Sequence, residues 1–150
     1  MKPMNVYLSG VGGQGIGLLS GALSAAAVQV GYKLRGCETH GLAQRGGVVV
    51  SHLRLGEKHF APRVPPGRAD LVISLERLEA LRAAVDMLRP GGTVIYYDSQ
   101  YQPLAVRLGT AKYPTEQEVA EAVAAKQGRL ERVYDDSLGD PRMQNVALLG

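Results

Sequence analysis

The sequence predicts an α/β domain, a three-layer Rossmann-like arrangement with helices on both faces of a mixed, mostly parallel sheet. Three observations carry that prediction. Short apolar runs alternate with helix-spaced apolar residues along the whole chain. A glycine-rich loop, Gly10-Val11-Gly12-Gly13-Gln14-Gly15, stands directly between a strand and a helix. The run Val48–Leu55 reads as a strand with no crossover helix before it, so the sheet cannot be purely parallel.

The elements follow in order. Residues 5–9 form a short apolar strand that ends in the glycine loop. Over 15–30, Leu18, Leu19, Ala22, Leu23, Ala26 and Val30 recur at helical spacing, and the other side (Ser20, Gly21, Ser24, Ala25) is small and uncharged. Such a helix is expected to be buried on most sides, with Gly31 as its stop. Residues 33–38 form a second strand, followed by a polar segment bounded by glycines that reads as a loop. After Val48–Leu55, a turn at 56–58 and a loop over 62–67 lead to a strand at 70–74. Leu75, Leu78, Leu81, Val85 and Leu88 then suggest one face of a helix that stops at Pro90-Gly91-Gly92. Residues 93–98 are the clearest buried strand. Thr115-Glu116-Gln117-Glu118 has the form of a capping box at a helix start, and that helix carries Val119 and Val123 and ends near Lys126 and Gly128. A strand at 130–134 and a helix beginning at Pro141 complete a single domain over 1–150.

Composition limits the function. The chain is 45% hydrophobic and 21% charged, with a net charge of only +3 and its basic residues scattered. Neither a nucleic acid nor an anionic membrane is the expected partner. Cys37 is the only cysteine, so the chain alone builds no internal disulfide, iron–sulfur cluster or cysteine zinc site. Cys37 itself reads as a small, half-buried residue in a reducing setting. The charge-free stretch before Lys33 is interrupted by five glycines between Gly10 and Gly17, which excludes a signal peptide or membrane helix over that stretch. The expected location is the cytoplasm.

Two segments carry chemistry. In the first, Gly10, Gly12, Gly13 and Gly15 let backbone amides approach a ligand, and the following helix start favours an anion. The pattern fits the dinucleotide fingerprint, but the ribose-binding acid that the fingerprint wants has only Glu38 as a candidate, and it lies late. The same glycines also suit a tight turn that binds nothing. The second segment is Cys37-Glu38-Thr39-His40-Gly41-Leu42-Ala43-Gln44-Arg45-Gly46-Gly47. It is too polar for a core, and Arg45 offers a fork for a carboxylate or phosphate. His40 is able to exchange a proton near neutrality, though no nucleophile or metal ligand stands at a recognisable spacing. The alternative is an internal network in which Glu38 pairs with Arg45. His52 and His59 read as surface or strand positions without a special role.

Taken together, the glycine loop with Gln14, the run Glu38-Thr39-His40-Gly41-x-Ala43-Gln44-Arg45-Gly46-Gly47 and Ser51-His52-x-Arg54 resemble the gamma component of 2-oxoacid:ferredoxin oxidoreductases. The Glu-Thr-His-Gly form is nearest the indolepyruvate branch. The resemblance implies a complex that oxidatively decarboxylates a 2-oxoacid to an acyl-coenzyme A and reduces ferredoxin. It implies that thiamine diphosphate and the iron–sulfur clusters belong to partner subunits, and that this chain carries no cofactor and no catalytic residue of its own. It also implies that the gamma part borders the active site and touches coenzyme A. The positions carried over are Gly10, Gly12, Gly13, Gln14, Gly15, Glu38, Thr39, His40, Gln44, Arg45 and Gly46. Thiamine-binding and ferredoxin-like subunits are the expected partners, and the isolated chain is open to pairing with a second copy. Family members continue into a further C-terminal segment, whereas this sequence ends at Gly150. Two other classes stay open on the residues: an NAD(P)-binding dehydrogenase domain, and a non-enzymatic scaffold or regulatory domain of the same fold.

Overall fold

The computed structural model describes residues 2–40, 46–57 and 61–150. Six strands form one sheet: β1 (Met4–Val11), β2 (Leu34–His40), β3 (Val48–Leu55), β4 (Ala69–Ser74), β5 (Leu88–Tyr97) and β6 (Arg129–Val133). Their order is β2-β3-β1-β4-β5-β6. β3 runs antiparallel to both β1 and β2, while β1, β4, β5 and β6 are parallel. The mixed, mostly parallel sheet predicted from the missing crossover before Val48 is therefore present.

Alternation along β1 sends Val6 and Leu8 to one face and Tyr7 to the other. The first face packs on helix α1 (Ile16–Gln29) through Ile16, Leu19 and Ala27, together with Leu53, Ile73, Leu75 and Tyr97. The second packs on α2 (Arg77–Asp86) and α4 (Glu116–Ala125) through Val72, Ala83, Ala84, Val94 and Val123. Each fully buried Leu or Val contributes roughly 1.5–3 kcal/mol. The capping box closes α4 as expected. Thr115 Oγ1 accepts from the Glu118 amide at 3.2 Å, and Glu118 Oε2 accepts from the Thr115 amide at 2.7 Å. Two short helices, α3 (Leu104–Arg107) and α5 (Gln144–Ala147), complete the chain, α5 following a 3-10 turn at Pro141–Met143.

Four expectations are corrected. The second strand runs two residues past its expected end at Glu38, taking in Thr39 and His40, because β3 offers a continuous antiparallel partner down to His40↔Val49. Helix α1 is not buried on most sides: Leu18 and Val28 are 61% and 58% exposed, and only the stripe Ile16, Leu19, Ser20 and Ala27 is fully buried. Helix α2 buries Glu79, Ala80, Ala83 and Ala84, while Val85 is exposed. Leu75 and Leu88 are core residues outside the helix that happen to fall at helical spacing. Pro90-Gly91-Gly92 does not stop a helix but lies inside β5, where the pairing jumps from Ala69↔Leu88 to Leu71↔Thr93. Gly91 adopts φ 70°, its amide reaches Lys126 O at 2.8 Å, and the chain bulges past Ala69 before resuming its register.

Candidate functional site

The C-terminal ends of the parallel strands form the edge where open α/β sheets place their ligands. The glycine loop lies there, and it begins later than the sequence suggested. Gly10 and Val11 are the last residues of β1, opposite Val49 and Val48, so the loop proper is residues 12–15.

Gln14 shapes that loop. Its Oε1 accepts from the Val11 amide at 2.7 Å, and its Nε2 donates to Leu75 O at 2.6 Å and Ser99 Oγ at 3.0 Å. A side chain at Gly10 would come within 2.9 Å of that Oε1, so Gly10 leaves the space into which the amide folds back. Gln14 is buried, and its head ties β1 to the ends of β4 and β5. Its donors are spent inside the fold.

The first turn of α1 is likewise occupied. Gly15 is the N-cap at φ 79°, without a side-chain cap, and Asn145 on α5 donates to its carbonyl at 3.4 Å. The Glu38 carboxylate lies over Gly17, where a Cβ would stand 3.5 Å and 3.6 Å from its two oxygens. A negative charge there interacts favourably with the helix N-terminus. Glu38 thus faces the first turn of α1. Gly13, at φ 101°, has open space around it and is the exposed crest of the loop.

The two sequence motifs meet through the backbone. The Gly12 amide donates to Gly47 O at 2.8 Å, and the Cβ position of Gly12 is 3.6 Å from the Gly46 amide nitrogen. Gly46 has φ 74° and open space around it. The structure thus gathers Gly12, Gly13, Gly15, Glu38, Thr39 and Gly46 at one corner of the sheet, with Gly10 and Gln14 beneath, and brings the backbone of His40 to the same end of β2. The proposed Gln44 and Arg45 contacts lie outside the described residues.

Sequence reading missed a second polar group on this edge. Asp98, 4% exposed, receives Arg77 Nε at 2.7 Å and Nη2 at 2.9 Å, and Arg132 Nε at 2.7 Å. Burial pushes its carboxyl up, but the two guanidiniums outweigh burial and hold it below the usual range. Both arginines also reach Glu116 Oε1, at 3.3 Å and 3.1 Å. Beside them Glu76, 1% exposed, caps α2 by accepting from the Glu79 amide at 2.9 Å and also accepts from the Tyr101 amide at 3.2 Å. Burial raises its carboxyl to about 6 against those hydrogen bonds. An acid directly after an apolar strand and three residues before Glu79 was the available signal for that cap. Asp98 offered only its place at the end of the strongest strand. His52 is on β3 and buried, its Nδ1 accepting from the Val64 amide at 3.1 Å.

The pyruvate ferredoxin/flavodoxin oxidoreductase model matches residues 5–150. The chain belongs to that family. The indolepyruvate oxidoreductase subunit IorB of Thermococcus kodakarensis is 37% identical over 155 residues, covering 100% of this chain and 76% of its own length. The Pyrococcus horikoshii protein of the same name is 40% identical over 123 residues, covering 82% of this chain and 60% of its own. The fold of this oxidoreductase-family chain also matches two solved structures. The gamma subunit of a keto/oxoacid ferredoxin oxidoreductase from Geobacter sulfurreducens aligns with a TM-score of 0.58 over 97% of this chain and 73% of its own, at 19% identity. A 2-oxoglutarate:ferredoxin oxidoreductase from Magnetococcus marinus, solved with 2-oxoglutarate, coenzyme A and succinyl-CoA, aligns with a TM-score of 0.61 over 97% of this chain but only 23% of its own, at 18% identity. The resemblance read from the two motifs is borne out: this chain is homologous to subunits of indolepyruvate and 2-oxoacid ferredoxin oxidoreductases.

Proposed function

We propose that the chain is the gamma-type component of a thiamine diphosphate-dependent 2-oxoacid:ferredoxin oxidoreductase of the cytoplasm, working only when docked on its partners. The observation that carries this is the Gly12–Gly47 hydrogen bond, which fuses the two family motifs into one edge surface. That surface offers backbone amides and glycine crests, and among the described residues no group of three His, Cys, Asp or Glu to hold a metal. Its chemistry is that of a wall: it positions and shields a reaction carried by other subunits. Thiamine diphosphate and iron–sulfur clusters on those partners would supply the decarboxylation and electron transfer. No helix among the described residues is long and apolar enough to cross a membrane.

Exposed apolar side chains support docking at this edge. Leu18 at the start of α1, Tyr101 and Leu104 after β5, Met143 just before α5 and Val146 within it are 45–67% exposed. The thiamine-bearing partner is the occupant we assign to them. Thr39, Gly46, Gln44 and Arg45 would line the junction, with Arg45 holding a phosphate of coenzyme A or a partner carboxylate through charge-assisted hydrogen bonds. The domain over residues 1–150 folds as one unit in this reading.

Reconstitution tests it. Arg45→Ala should leave the melting temperature of the isolated chain near the parent value, while weakening assembly or raising the KM for coenzyme A about tenfold. Unchanged assembly and kinetics would remove the role; an unfolded variant would make Arg45 structural. Calorimetric titration with NAD and NADP, expected to give no saturable binding, separates this reading from the dehydrogenase.

A further inference from the structure

A cleft of about 470 Å³ opens on the α2 side of the sheet, away from the glycine loop. Tyr7 on β1, Val50 and His52 on β3, Arg63, Pro65 and Met87 line it. Its volume is that of a small-molecule site, for which roughly 300–1,000 Å³ is usual.

Three donors converge there. His52 is 3% exposed and spends Nδ1 as acceptor for the Val64 amide at 3.1 Å, so its proton resides on Nε2. Burial first, and then the Arg63 charge, hold the imidazole below its ordinary value, which keeps it neutral with that single N–H. The Tyr7 ring meets His52 edge-on, with centroids 5.1 Å apart. Burial, with Glu79 and Asp86 adding and Arg63 opposing, pushes the Tyr7 hydroxyl up to about 12, so it stays a protonated donor. Neither that hydroxyl nor His52 Nε2 has a described hydrogen-bond partner, yet neither is a sealed orphan like the Tyr113 hydroxyl. Both therefore reach the cleft. The Arg63 guanidinium has no ion pair among the described residues.

The frame is built. Arg54 donates to Ala61 O at 3.0 Å and to Asn5 Oδ1 at 3.0 Å, fixing the start of the segment that carries Arg63. Of the two acids near Tyr7, Glu79 is already paired with Arg82 at 2.7 Å and Asp86 lies exposed at the end of α2. Three unspent donors, one of them cationic, above an apolar floor call for an acceptor-rich anion with an apolar part.

We propose that this cleft binds a small organic carboxylate, its charge held by Arg63, His52 Nε2–H and the Tyr7 hydroxyl, and its body against Val50, Pro65 and Met87. The inference does not rest on the proposed function and survives its failure. The neutral imidazole already offers its Nε2–H to such an anion, while Nδ1 stays the acceptor of the Val64 amide.

The test uses the full chain and phenylacetate, followed by the ¹⁵N resonances of His52, with phenylacetamide and inorganic phosphate as controls. Saturable shifts and at least tenfold weaker binding of both controls are expected. Arg63→Met, at an exposed position, should leave the spectrum folded and weaken phenylacetate at least tenfold. Equal binding of the amide, unchanged affinity in Arg63→Met, or no saturation overturns the proposal. Phosphate binding as tightly as phenylacetate overturns the organic part and leaves a simple anion site.

Discussion

At the scale of single residues, two buried carboxylates beside the candidate site respond to pH in opposite directions. Asp98 is held low by Arg77 and Arg132, so its stabilising contribution is present above its ordinary 3.8 and is lost as pH falls through its depressed value. Glu76 is raised from 4.5 to about 6, so its contribution is complete below 4.5 and disappears as pH rises through about 6. The shift corresponds to about 2 kcal/mol. Urea unfolding of the wild type and Glu76→Gln at pH 4.5 and 7.5 should show the wild type losing about 2 kcal/mol relative to the variant over that interval. A pH-independent difference would mean that Glu76 does not carry its charge in the buried position. Asp98→Asn leaves two guanidiniums facing one neutral amide and should cost about 3–5 kcal/mol at pH 7 by the same measurement. A loss under 1 kcal/mol would show that solvent replaces the carboxylate. The Asp98 role was not legible in the sequence, because its arginines stand 21 and 34 residues away and only the sheet order brings them together. The Glu76 cap had a local signal, but its second contact, from the Tyr101 amide 25 residues on, had none. The glycine loop was legible, since its strand–loop–helix setting is local.

At the scale of elements, the sequence revealed which segments were strands and helices more reliably than where they stopped. Leu75 to Leu88 read as one helical face because core residues flanking α2 fell at the same spacing as its own turns. Alanines bury α2 instead, since a close-packed helix needs small residues against the sheet. The Pro90-Gly91-Gly92 run carried the usual stop signal, yet here glycine serves the bulge in β5. A Cβ on Gly92 would stand 2.7 Å from Leu88 Cδ1 and 3.1 Å from Ala69 O, in a backbone fixed by neighbours on both sides. Gly92→Ala should therefore destabilise by about 1–3 kcal/mol, as overpacking does, visible as a lower urea midpoint with an unchanged slope. Gly109→Ala, at φ 72° in open space, should cost only the left-handed strain of about 1–2 kcal/mol. If the two losses were equal and near 1 kcal/mol, β5 would relax around the added methyl.

At the scale of the whole molecule, the expectation that failed is the one that explains most. Helix α1 has no charged residue from Ile16 to Gln29, which is why the sequence placed it in the interior. The fold buries only one stripe and leaves Leu18, Ala22, Ala25 and Val28 facing outward. A helix apolar on both sides is at home only when both are covered, and this chain covers one. On the proposed function, the chain docks on partner subunits, and the outer face of α1 would be buried there. Ala22→Glu then separates the two scales of stability. The side chain enters solvent in the isolated chain, so the melting temperature should stay within about 2 °C of the parent, as for surface changes under ~0.5 kcal/mol. In reconstitution with partner subunits the same carboxylate would be buried unpaired, and assembly should weaken at least tenfold. Size-exclusion chromatography with the partners, alongside thermal unfolding of the chain alone, reads both quantities. Wild-type assembly of Ala22→Glu would place the partner elsewhere on the surface and leave the outer face of α1 without a role.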